Sequence, residues 1–198
     1  ICADPSLSAQ DEQLAMLFER AKQHGEPAQV INWQKTWLKH RRNTCKDLAC
    51  LKLHYQLQLR LLSPIANAVG QGMPWTGRYI AHASPTGETY SRIRLYIRQS
   101  SAAEAEFDFV GTNTTPAGEV LTNGMHGKVK LYGNRGRFDE EGCELLFYRH
   151  ESGEVSIDQK KGCDLGAYIA IGHDYRRMST RTPLFEYQAL FGEFFEYD

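Results

Sequence analysis

The chain carries almost no net charge, no long apolar run and no familiar catalytic signature, and each absence removes a class of function. Its 23 lysines and arginines face 24 aspartates and glutamates, a formal net charge of −1. No whole-chain field therefore favours nucleic acid or a membrane surface. No stretch approaches the roughly 18 consecutive apolar residues of a spanning helix, and no charged-then-apolar leader stands at the start. There is no C-x2-C, no H-E-x-x-H and no histidine pair at zinc spacing. A nucleophile elbow, a phosphate-binding loop and a dinucleotide fingerprint are missing too; the glycines at 70, 72, 133 and 136 lack the strand-to-helix context that would give them meaning.

The titratable residues form no reacting set by spacing alone. His24, His40, His54, His82, His126, His150 and His173 stand apart, and His173 beside Asp174 reads as a surface turn, because neighbours on a strand point to opposite faces. Asp139, Glu140 and Glu141 sit together in a polar turn, where hydrolytic carboxylates could not hold a fixed separation across a cleft. The chain reads as non-enzymatic, with no cofactor and no metal.

What is present begins with five cysteines, Cys2, Cys45, Cys50, Cys143 and Cys163. Their spacing fits disulfides of an oxidising compartment better than a metal site. Cys143 with Cys163 would close a loop of about 20 residues, a stabilisation of roughly 3 kcal/mol on the chain-entropy model. Near the front, Cys2 can pair with only one of Cys45 and Cys50. A free buried thiol is the alternative account of the odd count.

Taken in order, the chain changes period once. Asp4 and Pro5 are an N-cap and first-turn proline, and Leu7, Leu14, Leu17, Phe18 and Ala21 share a face until Gly25. Glu26 and Pro27 open a second helix through Val30, Trp33, Trp37 and Leu38. Across the basic corner KHRRNTCK, a third runs from about Asp47 to Leu62, with Leu48, Leu51, Tyr55, Leu59 and Leu62 in a row, and stops at Ser63-Pro64. A glycine-rich linker follows. Beyond Trp75 the pattern alternates, most cleanly in RIRLYIR, which sets Ile93, Leu95 and Ile97 opposite Arg92, Arg94, Tyr96 and Arg98. Further strands are expected over 77–82, 105–111, 119–121, 128–132, 144–149, 154–159 and 167–171, with turns at Asn123-Gly124 and Gly133 to Gly136 among others.

These segments predict an α+β chain: residues 1–66 as a disulfide-linked three-helix domain, 75–178 as an antiparallel β-barrel-like domain of about eight strands, and 179–198 as an aromatic, acidic segment. Leu184, Phe185, Leu190, Phe191, Phe194 and Phe195 are too apolar to stand in water, so that segment should dock on the fold as a short helix.

The opening IC-x-D-P-x-L of Ile1, Cys2, Asp4, Pro5 and Leu7, with Asp11, Leu14, Trp37, Arg42, Asn43, Cys45, Cys50, Leu51 and Tyr55, resembles the LprI-type domain, a bacterial cell-envelope module named for a lysozyme-inhibiting lipoprotein. The resemblance covers roughly the first third of the chain and implies a periplasmic or secreted protein, outer-membrane-attached if a lipid anchor lies on the missing N-terminus. It also implies one more cysteine before Ile1 to take up the thiol that Cys2 leaves over. The implied partner is a lysozyme or another cell-wall hydrolase, bound through acidic groups, for which the candidates are Asp139, Glu140 and Glu141 and the tail acids Glu193 and Glu196. Arg41 and Arg42 in the basic corner are candidates for an anionic contact, although cations at a helix C-terminus are explained by its dipole alone. Two rivals remain: a barrel that encloses a small hydrophobic ligand, and a structural or immunity-type interaction module.

Overall fold

The structure is a computed structural model that describes residues 4–67, 74–81, 92–114, 117–140, 142–163, 165 and 170–185. The chain divides into two compact units, one of residues 1–71 with 181–184, the other of residues 72–180 with 185–198.

The first unit holds three α-helices, α1 (Pro5–His24), α2 (Pro27–His40) and α3 (Leu48–Ala66), with a short 3-10 turn at Arg42–Thr44 between the last two. Asp4 caps α1 by accepting from the Leu7 amide at 2.9 Å, and Asp47 caps α3 by accepting from the Cys50 amide at 2.8 Å. Each satisfies an amide the helix cannot, which is why these two helices start there. Leu7, Leu14, Leu17 and Ala21 are the buried row of α1, as the spacing predicts. On α3 the buried face is Tyr55, Gln58, Leu62, Ile65 and Ala66, so Leu48, expected in the row, lies exposed. The helix also runs past Pro64 to Ala66; a proline in the last turn removes one amide donor without breaking what precedes it.

Four residues, from the three helices and the 3-10 turn, tie this unit together. The Tyr55 ring is fully buried edge-on to Trp37, centroids 5.2 Å apart, and its hydroxyl donates to Asp11 Oδ1 at 2.6 Å while accepting from Arg42 Nε at 2.9 Å. Trp37 in turn gives its indole N–H to the His54 carbonyl. Part of the C-terminal segment also belongs here: Thr182 bridges to Gly25, Arg181 donates to the Gly25 carbonyl, and Gln29 exchanges two hydrogen bonds with the Leu184 backbone. Gly25 is required at that contact, because a Cβ would stand 2.6 Å from Ile65.

The second unit is a closed up-and-down barrel of eight antiparallel strands: β1 (Gly77–Ala81), β2 (Arg92–Gln99), β3 (Glu104–Thr114), β4 (Val120–Tyr132), β5 (Arg135–Glu140), β6 (Cys143–Arg149), β7 (Val155–Lys161) and β8 (Asp174–Ser179). Closure by the β1–β8 pair leaves no open edge. The strand count meets the expectation, but four assignments differ. Asn123-Gly124 is no turn; both residues lie within the long β4. Arg135 and Gly136, expected in one turn, and Asp139 and Glu140, expected in another, all lie in β5, and Asp174 opens β8 instead of sitting in a surface turn. Of the strand expected over 167–171, most lies outside the described residues, and Ala170 and Ile171 are not in a strand.

Side chains fill the barrel. Phe107 lies 5.2 Å from Phe138 and 5.3 Å from Phe147, centroid to centroid, among Leu95, Ile97, Phe109, Leu145 and Val155. Two glycines make the space for these rings. A Cβ on Gly127 would run into Phe138 and stand 2.8 Å from Phe107, and one on Gly136 would stand 2.6 Å from Val129. Trp75 closes one end, donating to the Gly133 carbonyl at 3.0 Å and accepting through its own carbonyl from the Tyr79 hydroxyl at 2.8 Å. Burial pushes the Tyr79 hydroxyl up to about 12 and that of Tyr175 well above its ordinary value, so both act as neutral donors in the core. Outside the barrel, Phe185 packs on Tyr96 and Val110 with the Arg98 guanidinium 3.6 Å over its ring. The first ring of the aromatic segment is therefore docked; the expected helix over the rest lies outside the described residues.

Candidate functional site

Strands β5 and β6 form a tight hairpin whose last pair is Glu140 opposite Cys143, with Asp139 opposite Glu144 behind it. The turn contains Gly142 at φ 83°, a left-handed conformation that glycine adopts without a Cβ penalty. Cys143 is bonded to Cys163, so the base of this acidic tip is fixed covalently to the segment that follows β7. That pairing is the one the spacing predicts.

Two like charges directly opposite on a hairpin repel. Here Arg137 resolves the conflict, reaching Asp139 Oδ2 at 2.7 Å and Glu144 Oε1 at 2.9 Å, with Lys161 3.8 Å from the other oxygen of Glu144. Among the described residues, Glu140 has no such cation. Among the described residues the tip thus presents an exposed carboxylate at Glu140 and a shared one at Asp139, next to the covalent anchor at Cys143. Of the other acidic candidates, Glu141, Glu193 and Glu196 lie outside the described residues, as does Cys2.

The two basic candidates are at the α2–α3 corner. Arg41 is the C-cap of α2, and Arg42 points its Nε into the Tyr55 hydroxyl and its Nη1 toward Asn43 at 3.3 Å. Arg42 is thus part of the fold of the helical unit before it is anything else. At the same corner Cys45 and Cys50 are bonded to each other. This corrects the expectation that one of them pairs with Cys2: the 3-10 turn folds the chain back so that Cys45 meets the first turn of α3, and neither sulfur is left over.

Near the β6–β7 turn the structure brings together a polar set that spacing alone did not suggest. His150, Ser152, Glu154, Ser156 and Asp174 line an open cleft of about 420 Å³. Ser156 gives its single hydroxyl proton to Asp174 Oδ1 at 2.6 Å, so His150 Nε2, also 2.6 Å from Ser156 Oγ, must be the donor of the second bond. Serine therefore sits between histidine and aspartate. In a working nucleophilic triad the imidazole is the middle member and takes the serine proton, which this order does not allow. The cleft can hold a polar or cationic group by its carboxylates and hydroxyls; the β7–β8 register that sets Ser156 opposite Asp174 left no signal in the sequence.

Comparison with protein-family models, with curated proteins and with solved structures finds no match for this chain.

Proposed function

We propose that the chain is a non-enzymatic, protein-binding module of the periplasm or cell exterior, with a lysozyme-inhibitor-like role exerted through the β5–β6 hairpin. The observation that carries this reading is the acidic tip of that hairpin, anchored at Cys143 and held in register by Arg137. A rigid loop loses little conformational freedom on binding, and a carboxylate exposed at its tip suits the rim of a cationic enzyme.

Three further features support it. The barrel interior is occupied by aromatic rings, which favours binding on the outside over the enclosure of a hydrophobic ligand. Two disulfides are formed, and among the described residues no helix is long and apolar enough to cross a membrane. The residues that resemble the LprI-type domain also converge, since Asp4 caps α1, Leu7 and Leu14 are buried, and Asp11, Trp37, Arg42 and Tyr55 form one network.

The test is a titration of lysozymes of the chicken, goose and invertebrate types on cell-wall substrate under non-reducing conditions. Inhibition near one equivalent, weakened by tenfold or more, roughly, in D139N/E140Q/E141Q, is the expected result. If no type is inhibited, or if the triple variant inhibits as well as the parent, the hairpin reading fails.

A further inference from the structure

The corner that joins α2 to α3 holds a cluster that the proposed binding role does not use. Cys45 lies just after the 3-10 turn, Cys50 in the first turn of α3, and His54 one turn further on. Residues four apart on a helix share a face, so Cys50 and His54 point the same way, and the turn brings Cys45 onto them. The two sulfurs and an imidazole nitrogen all lie within 4.8 Å of one another. Tetrahedral zinc, with bonds of about 2.0 to 2.3 Å, needs donor-to-donor distances of about 3.3 to 3.8 Å. The imidazole already stands close to both sulfurs, and reduction lets the sulfurs part from their bonded 2.04 Å toward that separation.

We propose that this cluster is a redox-gated metal site: when the Cys45–Cys50 bond is reduced, Cys45, Cys50 and His54 bind one zinc-class divalent cation, with water in the fourth position. The chemistry balances. A dithiol reductant supplies two electrons and two protons to the Cys45–Cys50 bond and becomes a disulfide itself; the two thiols formed then lose their protons as the metal binds. Two thiolates, one neutral imidazole and a divalent ion sum to zero charge, which suits a half-buried corner.

The surroundings favour each ligand in the state it needs. The N-terminus of α3 stabilises a thiolate at Cys50, and the basic segment of Lys39, His40, Arg41, Arg42 and Lys46 adds to that field. His54 is half-buried on the same face of α3 as Cys50, with its ring nitrogen among the same donors. The backbone that sets the ring is fixed as well, since the His54 carbonyl accepts from the Trp37 indole at 3.2 Å. The open fourth position makes this an exchangeable site. Oxidation closes it by joining two of its three ligands, so the same residues report redox state and metal supply. The inference is independent of what the barrel binds.

Cobalt is the probe, because thiolate ligation gives it an intense sulfur-to-metal charge-transfer absorption. The full chain is reduced anaerobically with a phosphine, desalted and titrated with cobalt(II). The parent should take up one equivalent with the charge-transfer band, the oxidised chain none, and C45S/C50S, which keeps the Cys143 and Cys163 thiols, none. H54Q, which retains both thiols and among the described residues removes no hydrogen bond of the ring, should bind at least about tenfold more weakly, since loss of even an outer-sphere partner costs about that much. No uptake by the reduced parent, uptake retained by C45S/C50S, or equal affinity in H54Q and the parent would each overturn the proposal.

Discussion

The bond between Cys143 and Cys163 holds the hairpin on which the functional reading rests, and its removal is the most informative perturbation of the barrel. The two residues are 20 apart in sequence, so the chain-entropy model gives about 3 kcal/mol for the restriction it places on the unfolded chain. Cys143 is 7 % exposed and belongs to the barrel core, with Cys163 packed against it. Alanine at both positions is therefore the right replacement, because serine would bury a hydroxyl as well. Lost sulfur packing adds to the entropic cost. A small domain has a urea slope of about 1–3 kcal/mol per molar, so C143A/C163A should lower the barrel's midpoint by about 1–3 M. A chain of two units need not unfold in one step, and the reporter must belong to the barrel. Of the three tryptophans only Trp75 does, so the measurement is Trp75 fluorescence in a W33F/W37F background. C45A/C50A supplies the contrast: those cysteines are 5 apart, worth about 2 kcal/mol on the same model, and lie in the helical unit. It should leave the Trp75 transition in place. Coincident curves for C143A/C163A and its parent, or equal displacement by both pairs, would refute the account.

Tyr55→Phe removes the hydroxyl between Asp11 and Arg42 while keeping the ring against Trp37. Both charged partners can be rehydrated, so the loss should be about 1–2 kcal/mol by helical circular dichroism in urea, and an unchanged midpoint would show that the network adds nothing. Gly127→Ala puts a methyl group into the Phe107 and Phe138 rings and should destabilise the barrel by about 1–3 kcal/mol; a neutral result would mean that the core yields there. Burial is the leading cause that holds His54, His126 and His173 below the ordinary 6.5, with Arg41 acting in the same direction at His54 and nearby acids opposing it at the other two. The unfolded chain then takes up protons first, so stability is fully present above about pH 6.5 and is lost as pH falls toward the folded values; a melting temperature that rises on acidification from pH 7 to 5 would contradict this.

The legible parts of the fold were those in which a local rule and the tertiary environment agree. The cap at Asp4, the start of α3 at Asp47, the buried row of α1 and the inward row Ile93, Leu95 and Ile97 all follow from local chemistry that packing then reinforces. The misread parts owe their structure to distant partners. Gly136 looks like a turn residue, yet it is glycine because Val129 and Phe147 occupy the space a Cβ would need. Asn123 looks like a turn residue too, but its side chain donates to the Leu165 carbonyl across 42 residues while β4 runs straight through it. Strand β8 has little alternation to find, since Arg177 faces the interior side, where it hydrogen-bonds the Thr76 carbonyl and covers the Tyr79 ring. The Cys45–Cys50 pair is the opposite case: the sequence reading gives one of the two to Cys2, whereas the short turn between them brings their own sulfurs together directly.

The same distinction bears on which charges can serve a partner. A charged group already engaged by the fold must exchange one set of contacts for another on binding, and its net contribution shrinks accordingly. Arg42 is engaged through Tyr55, Arg98 through Glu106 and the Phe185 ring, and Asp139 shares Arg137 with Glu144. Glu140 stands beyond that arrangement, at the pair nearest the turn and next to the covalent anchor. The hairpin therefore separates two tasks. Arg137 and the disulfide hold the base of the tip, and among the described residues Glu140 is its carboxylate without a cation, the group that the proposed contact would use.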